Sequence, residues 1–256
     1  MNGAFYIGAT GLQSQQRALD VVANNIANIN TPAFKRSEVR FTELLSPRID
    51  EPDTAPVQGA LSALGGVAVA ASPRVFSQGD LRQTGKPLDL AIDGEGFIEL
   101  LGPGGQAMLW RGGALKINGE GYLAASNGMP LKAMISLPVG ATSLVIDRDG
   151  KVQAQIAGEP GPVEVGQIDL VLAKDIDGLA GRGDGLYEAA NDADMVSVAP
   201  GEDGGGALVQ GSIETSNVQL SDEMVTLLLL QRAYAANAQV LQAGDQLMGI
   251  ANNLKR

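Results

Sequence analysis

The carboxylates are the first side chains here that could do chemistry. Asp147-Arg148-Asp149-Gly150 opens like a calcium loop, in which oxygens at alternate positions converge on one ion. Such a loop closes with a Glu at its twelfth position. Counted from Asp147 that place holds Gly158, so the run reads as a tight β-turn. Asp147 and Asp149 stand two apart and would face one side of a strand, as the acid and base of a glycosidase could. Acidic residues at turn tips are ordinary, and no cleft is implied around them. Gly94-Glu95-Gly96 starts like a dinucleotide fingerprint, but Glu99 stands where a third Gly belongs, and no helix follows in the pattern. Trp110, the only Trp, could line a sugar surface but reads as core packing of a β domain.

What is missing narrows the chemistry further. The chain has no His and no Cys. That removes the usual general base near neutral pH, the thiolate nucleophile and the usual structural zinc ligands. No residue is therefore assigned a catalytic, cofactor-binding or metal-ligating role, no cofactor is expected, and the chain does not read as an enzyme. With 18 basic and 29 acidic residues the net charge is −11, which does not suit a grip on nucleic acid. No stretch approaches the ~20 apolar residues of a membrane-spanning helix. The N-terminus, Met1 to Tyr6, lacks the basic and apolar regions of a secretory signal.

The elements that would position any site divide the 256 residues into three parts. Residues 1–50 and 213–256 are nearly neutral, whereas 51–212 carry ten basic and twenty-one acidic groups and most of the Gly. The reading is α+β: paired, coiled-coil-like N- and C-terminal helices with a central antiparallel β-rich domain. The expected divisions are an N-terminal helix over 1–30, an extended connection over 31–74, a β domain over 75–212 and a C-terminal helix over 213–256. In the first helix Phe5, Leu12, Leu19 and Ile26 recur every seven residues, with Val22 and Ile29 at intermediate positions of the same heptad pattern. Gly8 and Gln15 are weak places in that stripe, and Pro32 marks the expected stop. In the last helix Ser221 reads as the N-cap, followed by Asp222 and Glu223 at the positive end of the dipole. Leu227, Tyr234, Leu241 and Met248 then recur every seven residues, with Leu230 between. Asn237 and Gly244 interrupt this stripe, and Asn237 is expected to face solvent. A second row, Ala233, Val240, Leu247 and Leu254, lies on a neighbouring face. A helix apolar on two sides needs more than one partner. The expected arrangement is an N-terminal helix on one side and neighbouring subunits on the other.

In the middle, short alternating runs end in turn signals. Asp93-Gly94, Asn118-Gly119 and Asp147 to Gly150 each predict a hairpin. Pro47, Pro52, Pro56 and the stretch 59–66 predict a weakly structured connection.

One segment is specific enough to carry a likeness. Ala23-Asn24-Asn25-Ile26-Ala27-Asn28-Ile29-Asn30-Thr31-Pro32-Ala33-Phe34-Lys35-Arg36 resembles the N-terminal signature of the bacterial flagellar rod and hook proteins. Its signature residues here are Asn24, Asn25, Asn28, Thr31, Phe34 and Lys35. Ala33 stands where that family has Gly, which predicts a relaxed turn or one already at negative φ. Ser77 to Thr84, Leu90 to Phe97, Gln210 to Val218 and Gln231 to Tyr234 agree with the family in order, so the resemblance covers nearly the whole chain. The length favours a rod subunit over the longer hook proteins. The resemblance implies a structural subunit that polymerises helically into the drive shaft between motor and hook, in its distal part, with the proximal rod as the alternative. It also implies export through the flagellar type III apparatus and a periplasmic place in the basal body. The implied partners are copies of itself, other rod proteins and the hook protein along the axis, and ring proteins around it; no nucleic acid and no membrane insertion are implied. The assembly residues would be the apolar stripe residues named above: Phe5, Leu12, Leu19, Val22, Ile26, Ile29, Leu227, Leu230, Tyr234, Val240, Leu241, Leu247 and Met248. A reading from a different class, a secreted polysaccharide-binding module or hydrolase of the cell wall, leaves the second apolar row of the last helix without a partner.

Overall fold

The computed structural model describes residues 2–44, 66–69, 73–138, 140–158, 161–189, 194–202 and 204–253. The side chain of Phe5, Leu254 and the Pro and Gly connection over 45–65 lie outside the described residues. The protein is α+β and divides into two compact units. One holds residues 1–27, 37–73 and 219–256; the other holds 28–36 and 74–218.

The first unit is built on two helices, α1 (Asn2–Ala27) and α2 (Leu220–Asn253), and a hairpin of β1 (Phe41–Leu44) with β2 (Gly66–Val69). The helices run antiparallel, because Asn25 meets Glu223 while Gly8 meets Leu241 near their other ends. Along α1, Ser14, Ala18, Val22 and Asn25 are buried and Leu12, Leu19 and Ile26 half-buried. The hydroxyl of Ser14 donates to the Val67 carbonyl at 2.7 Å, which satisfies a polar group on the hairpin side of α1. α1 stops at Ala27, earlier than Pro32 predicts. The reason is a local turn: Thr31 N–H donates to the Asn28 carbonyl at 3.1 Å, and its hydroxyl to Asn28 Oδ1 at 3.1 Å. α2 starts at Leu220 with Asp222 and Glu223 in its first turn. Ser221 is thus already helical, and its hydroxyl pairs with Asp222 rather than capping the helix.

The second unit is antiparallel throughout. In chain order its strands are β3 (Leu81–Gln83), β4 (Asp89–Asp93), β5 (Phe97–Leu101), β6 (Ala107–Trp110) and β7 (Gly112–Ile117). Then come β8 (Leu123–Ala125), β9 (Ala141–Ile146), β10 (Lys151–Ile156), β11 (Val163–Gln167) and β12 (Leu170–Ala173). β13 (Ala180–Gly183), β14 (Leu186–Glu188), β15 (Met195–Val198), β16 (Ala207–Gln210) and β17 (Ser212–Glu214) complete it. They form a sheet ordered β13-β14-β6-β5-β12-β15, another ordered β16-β4-β7-β8, a third ordered β11-β10-β9, and the pair β17-β3. Leu90, Ile92, Ile98, Leu100, Trp110, Leu123, Leu170 and Leu208 share one apolar core. Phe97, Leu109 and Tyr187 form a smaller one, with Phe76 edge-on to both Phe97 and Tyr187.

Two predicted hairpins are present. β7 turns into β8 through Asn118, whose Oδ1 accepts from the N–H groups of Glu120 and Tyr122. β9 turns into β10 at Asp147 to Gly150, with Asp147 N–H donating to the Lys151 carbonyl at 2.9 Å. The third does not form. β4 pairs with β16 and β7, whereas β5 lies in the other sheet between β6 and β12. Asp93-Gly94 is therefore a corner at which the chain changes sheets. It needs Gly94 at φ 117°, and a Cβ there would fall 2.8 Å from the Gly206 Cα.

Candidate assembly site

The helix pair of the first unit presents two different faces of α2. Leu227, Leu230, Asn237, Leu241, Gly244 and Met248 are half-buried on the side of α1, with Tyr234 at its margin. Gly8 is not a weak place in this seam. A Cβ there would lie 2.6 Å from Leu241 Cδ2, so the missing side chain is the hole that takes Leu241 as its knob. Asn237 also departs from expectation. It faces α1 rather than solvent, with Nδ2 3.3 Å from where a Gly11 Cβ would stand. Val240 and Leu247 lie on the other side of α2, exposed at 70% and 67%. Met224, Val225, Leu228, Leu229 and Ile250 are exposed with them, an apolar face that the sevenfold count did not single out. The run Leu227 to Leu230 held the signal: four consecutive apolar residues cannot all point to one side of a helix.

Asn25 joins the helices near the start of α2. Its amide nitrogen donates to the Ser37 carbonyl at 2.9 Å and to Glu223 Oε1 at 3.3 Å, and its oxygen accepts from Ser37 N–H at 2.9 Å. Glu223 is itself buried. Asn24, its neighbour in the signature, is exposed.

The rest of the signature belongs to the second unit, where residues 28–36 form a strap. Ile29 and Phe34 are half-buried, and the Arg74 guanidinium sits 6.0 Å from the Phe34 ring. Lys35 is fully buried and donates to Glu214 and to the Ser77 carbonyl. Glu214 also accepts from Gly79 N–H at 2.8 Å and from Arg111 Nε at 2.9 Å, and Arg111 donates onward to the carbonyls of Gly94 and Gly96. Three buried charges are thus satisfied by one another and by backbone carbonyls. Burial lowers the Lys35 pKa from its ordinary value, and the charge of Glu214 opposes that shift. Burial likewise raises the Tyr187 phenol, whose hydroxyl donates to the Ala33 carbonyl at 3.3 Å. Ala33 corrects the sequence reading: the turn is neither relaxed nor at negative φ, but stands at φ 55° with a non-Gly residue in it. Sequence reasoning passed over Arg111 and placed Glu214 and Asn217 only within the family-like stretch Gln210 to Val218, with no role of their own. Only their company could have found them, since each acquires a role by meeting segments far away in the chain.

Among the described residues there is no group of three or more acidic side chains that could hold a metal ion. The described helices include none long and apolar enough to cross a membrane. The class so defined is a two-unit α+β protein, with a helix pair that carries exposed apolar side chains and a β unit cross-linked by buried charges.

Comparison with known proteins gives that class a family. Residues 5–35 match the family model described as flagella basal body rod protein, 91–154 that of the flagellar hook protein FlgE/F/G D1 domain, and 209–254 that of the flagellar basal body rod FlgEFG protein C-terminal. The chain is 35% identical to the flagellar basal-body rod protein FlgG of Borreliella burgdorferi over 264 residues, covering all of both chains. It is 34% identical to FlgG of Bacillus subtilis across 99% of each chain. The rod protein FlgF of Caulobacter vibrioides is similar too, at 35% identity over 94% of this chain and 93% of its own. The chain belongs to the flagellar basal-body rod protein family. It is a structural component of the bacterial flagellum, most like the FlgG members.

Proposed function

We propose that this subunit polymerises helically into the distal rod, the shaft that carries motor torque to the hook, and that it does so without enzymatic activity. The exposed apolar face of α2 carries the reading. Leu229, Val240 and Leu247 lie on the side of α2 away from α1, and a face of that composition is costly in water. Contacts that repeat without closing on themselves make a helical polymer. In this reading Leu227, Leu230, Leu241 and Met248 hold α2 to α1, while Val240 and Leu247 meet neighbouring copies. Other rod proteins and the hook protein would stack along the axis and ring proteins would surround it. The flagellar type III route would deliver the chain to the periplasmic part of the basal body.

Electron microscopy of the concentrated protein tests the proposal. Wild-type protein should form tubes or filaments, and Leu229→Asp with Val240→Asp should leave a soluble, folded monomer. Normal tubes from the double variant would remove the α2 face from the assembly.

A further inference from the structure

The chain crosses between the two units four times, after residues 27, 36, 73 and 218. On the second unit's side, these crossings fall on three segments: the strap 28–36, the lead-in 74–79 and the exit 214–218. Two side chains each bond all three. Lys35, on the strap, reaches Ser77 of the lead-in and Glu214 of the exit. Asn217, on the exit, does the reverse. Its Nδ2 donates to the Val75 carbonyl at 2.7 Å and to Ser77 O and Oγ at 3.0 Å, and its Oδ1 accepts from Arg36 N–H at 2.8 Å. Backbone bonds run alongside: Ala33 N–H to Glu214 O at 2.9 Å, Asn217 N–H to Phe34 O at 3.4 Å and Val75 N–H to Arg36 O at 2.9 Å.

The direction of these bonds matters. Residue 33 pairs with 214, and residues 34 and 36 with 217, so strap and exit run parallel. Tension entering at Asn28 and leaving at Val218 pulls the two segments lengthwise past each other. All of their cross-links then share the load at once, whereas a zipper would break them one by one. We propose that the clamp closed by Asn217 and Lys35 is a shear-loaded mechanical junction that keeps the β unit folded when force passes through its chain ends. The inference rests on the torque-carrying role proposed above, and it makes Asn217 a positioning residue for that role.

The absence of Cys lets handles be placed at will for single-molecule pulling of the full chain. Asn30→Cys with Gln219→Cys, both exposed and both between the helix pair and the first cross-links, loads the β unit through the clamp. Glu120→Cys with Asp177→Cys loads it along another axis. The wild-type β unit should rupture at a higher force on the first axis than on the second. Asn217→Asp, which keeps the size but loses the amide donors, should abolish that excess and leave the second axis unchanged. If Asn217→Asp does not fold, Lys35→Met is read the same way, because it leaves Glu214 paired with Arg111. Equal weakening on both axes would reduce the clamp to ordinary stability and overturn the proposal, as would an unchanged first axis. Rupture forces are measured on monomers, so failure of the tube reading is seen separately, by microscopy of the wild type.

Discussion

At the residue scale, Ala33 shows several small terms nearly cancelling. Its left-handed backbone costs about 1–2 kcal/mol, which Gly would avoid. Gly would in turn lose a buried methyl and add roughly 0.5–1 kcal/mol of unfolded-state entropy. Ala33→Gly should therefore move stability by less than about 1 kcal/mol, whereas Ala33→Val, with Gly185 alongside, should destabilise by more than about 2 kcal/mol; thermal unfolding reads both. The buried charges are asymmetric. Glu214→Gln leaves Lys35 and Arg111 facing each other with no anion between them and should cost about 3–5 kcal/mol, while Lys35→Met should be close to neutral. Denaturant titration distinguishes the two. The pH dependence follows from the lowered Lys35 pKa. Between that value and 10.5 the unfolded state binds the proton that the folded state has released, so stability rises with pH. Wild type should therefore gain on Lys35→Met as pH climbs to that limit. The raised Tyr187 acts oppositely above pH 10 but cancels in the difference between the two proteins.

At the scale of elements, the seam between α1 and α2 is the test. Gly8→Leu should drive a side chain into Leu241 and destabilise the helix pair by about 1–3 kcal/mol, read as loss of helical signal on heating. Gln15→Met should do the opposite, by about 1 kcal/mol, because Gln15 Oε1 is buried without a hydrogen-bond partner. Both helices were legible from apolar residues recurring every seven positions, since that spacing reflects one helical face. The roles of Gly8 and Asn237 were not, because a hole has no signal in its own sequence until the knob that fills it is known. Turn residues were legible as turns but not as connections. Asn118-Gly119 opens a hairpin and Asp93-Gly94 changes sheets; only Gly94 of the two glycines is left-handed, the hairpin taking that backbone at Gly121 instead. Which strand comes next to β4 is decided by β16, more than a hundred residues on.

At the scale of the whole molecule, the acidic middle of the sequence folds into the β unit cross-linked by buried charges, and the nearly neutral ends form the helix pair with its exposed apolar side chains. If the subunit is a shaft and not an enzyme, Asp147→Asn with Asp149→Asn should leave swimming intact in a complemented deletion strain, since surface changes at a turn shift stability by less than ~0.5 kcal/mol. Normal rods in cells that cannot swim would assign those carboxylates a further task. The strap also sets a timetable. Lys35 finds its partner 179 residues downstream, and contacts that distant are slow to close. A chain made from its N-terminus can offer that ammonium the Ser77 carbonyl early, but no carboxylate until its last quarter appears. The latest residues thus authorise the earliest to settle, and a truncated copy missing them leaves Lys35 without its anion and the strap unfinished.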